Sequence, residues 1–335
     1  MIETFRERRL TVPTSLTEAN GHLNWDAAGW AAQPLVDTTG LGRGWGRNKR
    51  WEYWGVVTPS HLIGMTISHI DYAAVHEVWV LERSSERTWG TGATVIPPHG
   101  VEIPPVLEAG RARARARGLG IAIDETDGGT RLRAIGPGVR VDVVAELPPG
   151  HERLAVVVPW SDRRFQYTVK DVARPARGWV ETDGARHEVS EGQSWAVLDH
   201  GCGRWPYDVA WNWGAGSGRS AGRVIGLQVG GKWTAGAGVS ENALVLDGHL
   251  HKIHGELTWD YDIEQWRIPW RVSGGGLEAT FMPFYNKRSR TNFGVLASAT
   301  DQCFGYWSGR FRTEAGESVE FSELLGWAEE VQNRW

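Results

Sequence analysis

Leu198-Asp-His-Gly-Cys-Gly-Arg-Trp-Pro-Tyr-Asp-Val-Ala-Trp-Asn-Trp-Gly-Ala-Gly-Ser-Gly218 sets three tryptophans, Trp205, Trp211 and Trp213, beside an acid, a histidine, an arginine and a tyrosine. Before it, Ser194-Trp-Ala-Val-Leu198 is apolar and β-prone. After Pro206, Val209-Ala-Trp-Asn-Trp213 alternates, which puts Val209, Trp211 and Trp213 on one face of a strand. Asp199 through Asp208 then reads as a loop at the rim of a sheet, where strands on either side can hold chemistry rigidly. The bland alternative makes the tryptophans core and the glycines turn residues.

Working outward, the 335 residues, 41% of them hydrophobic, suffice for one large all-β domain or two medium ones, and two is the preferred reading. Twenty Trp against eight Phe and three Met make indole the dominant aromatic surface, a group suited to stacking on ligands or lining a cavity. A net charge of −4 gives no field that favours nucleic acid or an anionic membrane. Arg111, Arg113, Arg115 and Arg117 alternate with alanines, so on a strand they form one charged face, either solvated or anion-binding. No run of eighteen apolar residues and no secretory h-region are present, and Cys202 and Cys303 are the only cysteines. The chain reads as cytoplasmic with free thiols as the default, although spacing alone permits a bridge.

Residues 1–44 form an irregular entry segment with Pro13 and Pro34. From Arg50 onward, runs of five to ten β-prone residues separated by Gly, Pro, Asp and Ser recur to the end, the signal of an all-β barrel or sandwich. Helical periodicity is scarce. Its best case is Ser322 to Trp335, where Leu324, Leu325, Ala328 and Val331 fit a helical stripe, although the same residues suit a closing strand. Trp51-Glu-Tyr-Trp54 and Trp211-Asn-Trp213 each open a strand from an aromatic cluster, half a chain apart. The echo implies two tandem β domains, 45–174 and 175–335, joined near Arg174-Pro175, with the Trp-rich site on the second.

Lys49-Arg-Trp-Glu-Tyr-Trp54, Leu198-Asp199 with Trp205-Pro-Tyr207, Trp211-Asn-Trp-Gly214, Lys232-Trp-Thr234, Glu241-Asn-Ala243, Gln302-Cys-Phe-Gly305 and Gly326-Trp-Ala-Glu329 with Arg334-Trp335 resemble the bacterial family called domain of unknown function 2804. The resemblance covers nearly the whole chain from about residue 45. That family is more distantly similar to double lipocalin-like (calycin) proteins that include carotenoid hydratases of the hydroxyneurosporene synthase type. What the resemblance implies is two tandem lipocalin-like antiparallel β-barrels with few helices; it brings no reaction. The chain departs from the family pattern at His200, Cys202, Arg204 and Asp208, which crowd the presumed rim.

Among candidate chemical groups, Asp199 surrounded by indoles is the general acid, or else it caps the turn at Gly201-Cys-Gly203. Glu241 and Asn242 follow the glycine-rich Gly230-Gly-Lys-Trp-Thr-Ala-Gly-Ala-Gly238; Glu241 supplies a second carboxylate, and Trp233 after Lys232 excludes a phosphate loop. His249, His251 and His254 form His-x-His-x-x-His, but no companion motif supports a metal. His251 is retained as an acid–base candidate because it falls in a family-like stretch. Tyr167 and Lys170 are expected at the cavity rim, and Arg204, Trp205, Tyr207, Trp211, Asn212, Trp213, Lys232 and Asn242 as substrate contacts.

The favoured function is a cofactor-independent enzyme for hydration, dehydration, isomerisation or cyclisation of an apolar, isoprenoid or lipid-like small molecule. Asp199 would protonate an alkene, and Trp205, Trp211 and Trp213 would offer π-faces to the cation. The alternatives are a carbohydrate-active protein using Trp stacking with an Asp199/Glu241 pair, and a non-catalytic lipophile carrier.

Overall fold

A computed structural model describes residues 6–42, 46–292, 294 and 296–334. Residues 1–5 and 43–44 of the entry segment, and Trp335 of the family-like C-terminal pair, lie outside them. The described residues contain no α-helix, only two short 3-10 turns at Trp25–Ala27 and Thr39–Gly42. None of their helices is long and apolar enough to cross a membrane.

Two large antiparallel sheets dominate. In the first, the main strand path runs Thr88–Val95, Ala74–Glu82, His61–His69, Asn48–Val57, Trp195–Arg204, Phe165–Thr182, Val139–Glu146, Gly129–Gly136, Leu119–Thr126, Ala112–Ala116 and Val101–Glu102. In the second it runs His249–Lys252, Ala243–Leu246, Arg223–Gly231, Asp208–Ser220, Ser318–Arg334, Ala297–Arg312, Leu277–Asn292, Trp270–Gly274 and Thr258–Asp260. The plan is the same in both: the unit's first long strand lies mid-sheet, paired with its successor on one side and with a late strand on the other. Asn48–Val57 and Asp208–Ser220 occupy that position, and these are the strands that carry the aromatic echo.

Each sheet curls around its own filled core. Alternation in the first sheet sends Trp54, Met65, Val78, Leu132, Val143 and Leu198 inward. Leu227, Leu244, Trp270, Phe281, Trp307 and Leu324 do the same in the second. Cys202 and Cys303 are buried in separate cores and are free thiols. On the strand Ala112–Ala116, Ala112 and Ala114 face the core, while Arg113 and Arg133 bind Asp124 on the outside.

Three expectations change. The chain passes between sheets at Trp205–Tyr207; Arg174-Pro175 lies inside the long strand Phe165–Thr182, because Trp195–Arg204 must return to close against Asn48–Val57. Asp199 to Gly203 is strand, not loop. The glycines there make room: a Cβ on Gly201 would meet Trp51 Cζ2 at 2.2 Å. Ser318–Arg334 is the closing strand, not a helix. Its register shifts near Glu323, whose φ is 56°, and both its faces are covered, so apolar residues on two faces imitate a helical stripe.

The sheets pack outer face to outer face through Leu62, Trp79, Val197, Trp213, Phe304 and Trp327. Trp79 stacks on Phe304 at 5.1 Å. Gly55 lets Trp327 approach, since a Cβ there would lie 2.4 Å from its ring.

Candidate functional site

Between the two sheets lies a cavity of about 290 Å³. It is not inside either curled sheet, because side chains fill both interiors; the site belongs to both units rather than to the second alone. Strand register builds it. Across the first sheet, Lys170, Asp199, Tyr53, Thr66 and Glu77 are successive cross-strand partners. Across the second, Trp213, Glu329, Gln302 and Lys287 are likewise aligned. The rows face each other. Lys170 Nζ lies 4.2 Å from the Trp213 ring centroid, Tyr53 meets Trp213 edge-on at 5.6 Å, and Lys287 donates to Glu77 Oε2 at 2.6 Å.

At one end the Lys170 ammonium is wedged between two carboxylates, 3.0 Å from Asp199 Oδ1 and 3.3 Å from Glu241 Oε2. Burial opposes the charge on Lys170, but Asp199 and Glu241 outweigh it and hold its pKa above the ordinary lysine value. Asp199 also accepts from Thr168 Oγ1 and from Trp51 Nε1, each at 3.1 Å. With the Lys170 ammonium against Oδ1, Asp199 is placed as the acceptor that anchors it. Glu241 comes from the irregular backbone between two strands and accepts from Trp233 Nε1 at 2.5 Å. Burial pushes its carboxyl upward against the opposing pull of Lys170. Gly230 must be glycine here, since a Cβ would come within 2.1 Å of Glu241 Oε1.

Glu329 is the other carboxyl on the wall. It accepts from Trp211 Nε1 at 3.0 Å and from Gln302 Nε2 at 3.0 Å. Burial, only partly offset by Trp211 and Lys170, lifts its pKa from 4.5 to about 7. Tyr53 hydrogen-bonds Gln302, and burial pushes its phenol well up. Four indoles close the neighbouring wall: Trp205 stacks on Trp233 at 5.8 Å and meets Trp51 and Trp211 edge-on. Trp205 Nε1 donates to Gln166, and Trp160 braces the group from behind.

The structure thus brings together Asp199, Glu241, Lys170, Trp205, Trp211 and Trp213 of the residues expected from sequence. The others point elsewhere. Tyr167 has the opposite parity to Lys170 and lies in a core with Leu16 and Val36. Arg204 donates to Asn48 and the Gly21 carbonyl, and half-exposed Tyr207 lies beneath the Arg47 guanidinium. Asn212 and Lys232 meet at the Tyr261 hydroxyl, 2.9 Å from each. Asn242 ties Gly230 to Gly255. His251 lies against Phe311 near the edge of the second sheet, where burial lowers its pKa. His200 points into the first core, next to Glu52 across the strands, and burial takes it down to about 3. Among the described residues no three His, Cys, Asp or Glu groups are arranged to hold a metal; His254 instead binds Glu314 and the Glu7 backbone N–H.

Glu329, Gln302, Tyr53, Trp51, Trp233 and Thr168 also line the cavity and were not singled out as functional from sequence. All except Thr168 fall in the quoted family-like motifs, which was the available signal.

The sequence matches the family model described as domain of unknown function (DUF2804) over residues 7–335. No curated protein matches it. Among solved structures, kievitone hydratase from Nectria haematococca is similar at TM-score 0.51 and 10% identity, over 97% of this chain and 96% of that one. An AttH protein from Nitrosomonas europaea is similar at TM-score 0.49 and 11% identity, over 85% and 92%. CghA is similar at TM-score 0.40 and 11% identity, over 100% and 96%. The architecture is the tandem lipocalin-like one, two curled antiparallel half-barrels.

Proposed function

We infer that this chain, which belongs to the DUF2804 family, is an enzyme that moves protons on a small, largely apolar molecule held between its sheets. The reaction class is hydration or dehydration, isomerisation or cyclisation of an alkene. The observation that carries the reading is a carboxyl group, Glu329, buried on the wall of a tryptophan-lined cavity, where burial outweighs what its uncharged hydrogen-bond partners Trp211 and Gln302 and the more distant Lys170 return. A carboxyl in such surroundings keeps its proton near neutral pH and can deliver it.

In this scheme Glu329 gives its proton to one alkene carbon, and a cation forms at the other. The faces of Trp211 and Trp213 stabilise that cation without attacking it, each by roughly 0.5–2 kcal/mol. Water then adds and its surplus proton passes to the Glu329 carboxylate, or the neighbouring carbon returns a proton to that carboxylate, or a second double bond of the same molecule closes a ring and the new cation gives a proton from an adjacent carbon to the Glu329 carboxylate. Lys170 and Asp199 form a fixed dipole beside the cation path, with Glu241 completing it. The acid assigned to Asp199 from sequence therefore passes to Glu329.

Glycoside hydrolysis receives no support from the Asp199/Glu241 pair. The Lys170 ammonium fills the space between the two carboxylates, where a glycosidic bond would have to lie.

Native mass spectrometry of the purified protein, followed by a tryptophan-fluorescence screen of terpenoids, phenolics, fatty acids and oligosaccharides, supplies the ligand. Turnover by the wild type that is lost in Glu329→Gln while binding persists is the expected result. A tightly bound ligand that the wild type returns unchanged would make the protein a carrier.

A further inference from the structure

The geometry points to an alcohol or phenol as the molecule this cavity takes, with its hydroxyl selected by Asn333. The inference rests on the same intersheet site as the acid–base reading but not on any proton transfer.

On the closing strand Ser318–Arg334, the side chains facing the first sheet are Trp327, Glu329, Val331 and Asn333 in turn. Asn333 is 6% exposed and lines the cavity, and its buried Oδ1 has no hydrogen-bond partner among the described residues. A buried amide oxygen with two empty lone pairs is costly, and native proteins satisfy nearly all such atoms. A ligand donor reaching this end of the cavity would satisfy it.

The surroundings specify the donor. Thr300 and Ser289 line the same wall, and their hydroxyls both give and accept hydrogen bonds, which suits a group that does the same. The nearby charges are already matched: Lys287 with Glu77, and Asp301 with Arg290. Among the described residues that line the cavity, the carboxyl without an ion-pair partner is Glu329, four residues along the strand and out of hydrogen-bond reach of a group at Asn333, so the donor there is neutral. Asn333 is four residues along the strand from Glu329, roughly 13 Å. The hydroxyl and the reacting carbon therefore sit at opposite ends of one extended molecule, with the indoles covering the apolar body between them.

The test is binding, read by tryptophan fluorescence, with two matched pairs: geraniol against 2,6-dimethylocta-2,6-diene, and 2-naphthol against naphthalene. Geranylamine is added as the cationic analogue. The wild type is expected to bind the hydroxylated member of at least one pair about tenfold more tightly. Asn333→Leu should abolish that preference. Asn333→Asp, which keeps an acceptor oxygen, should retain it, and it serves if the leucine variant does not fold. Equal affinity within both pairs, a preference that survives Asn333→Leu, or tighter binding of geranylamine than geraniol would overturn the inference. Hydroxyl preference without turnover leaves this inference standing and removes the acid–base reading; turnover without hydroxyl preference does the reverse.

Discussion

Replacing Glu329 with glutamine tests the site without knowledge of the substrate, because the burial on which its proposed role rests must cost stability. In the folded chain its pKa is raised from 4.5 to about 7. The folded state therefore binds this proton more tightly than the unfolded state does. No penalty exists well below pH 4.5; it grows as pH rises from there and is complete above about 7. At one proton and 1.36 kcal/mol per unit, the full penalty is about 3 kcal/mol, with about 1 kcal/mol already present at pH 5. Glutamine has the same shape, still accepts from Trp211, and can give its N–H to Gln302 once that amide turns its oxygen inward. Glu329→Gln should thus raise the unfolding free energy by about 3 kcal/mol at pH 8 and by about 1 kcal/mol at pH 5, measured by urea titration. Wild-type activity should fall as pH rises through about 7, and the variant should be inactive at both pH values. A stability change that is the same at both pH values, or a loss at pH 8, would refute the placement of an uncompensated buried carboxyl at this position.

Lys170→Met leaves Asp199 and Glu241 buried without a counter-ion and should cost about 3–5 kcal/mol in urea unfolding; adding Asp199→Asn and Glu241→Gln should recover most of it. Gly230→Ala would drive a Cβ into Glu241 Oε1, so about 1–3 kcal/mol of stability and ligand binding measured by fluorescence should be lost together. Glu7 reaches from the N-terminal segment to a buried pair with Lys252 at 2.9 Å and accepts from the Ser240 backbone N–H at 3.0 Å, the residue next to Glu241. Glu7→Ala should speed amide hydrogen exchange across residues 239–242 and weaken ligand binding; exchange as slow as in the wild type would show that this turn holds Glu241 without Glu7.

Strand content and the repeat were legible because they depend on local alternation and on a pattern that recurs in both units. The positions of several side chains were legible too, from parity alone. Val209, Trp211 and Trp213 share a face, which already sends Asn212 to the other side, and Tyr167 cannot share a face with Lys170. What sequence could not reveal is what each face meets. Gly201 and Gly203 read as turn residues because their reason for being glycine, the Trp51 ring and the Gln166 side chain lying across them, comes from distant strands. Glu329 was hidden for a related cause: the strand that carries it is buried on both faces, so its apolar residues lose the period of two and resemble a helix.

The location of the site follows from the same physics. A curled sheet has an inner face that must be apolar to fold, and here both inner faces are filled. Its outer face normally meets water, where Lys170, Asp199 and Glu77 would cost nothing. Docking one outer face on another removes that water, and it turns two ordinary polar rows into a desolvated set of ions. Some find partners across the gap, as Lys287 does with Glu77. Glu329 has only uncharged hydrogen-bond partners among the described residues, and since Trp211 and Lys170 offset only part of its burial, the rest appears as a raised affinity for its proton. A tandem repeat can therefore create a buried carboxyl of raised pKa at its own interface without disturbing either core, and substitutions that loosen the contact between the sheets should lower the Glu329 pKa before they unfold either unit.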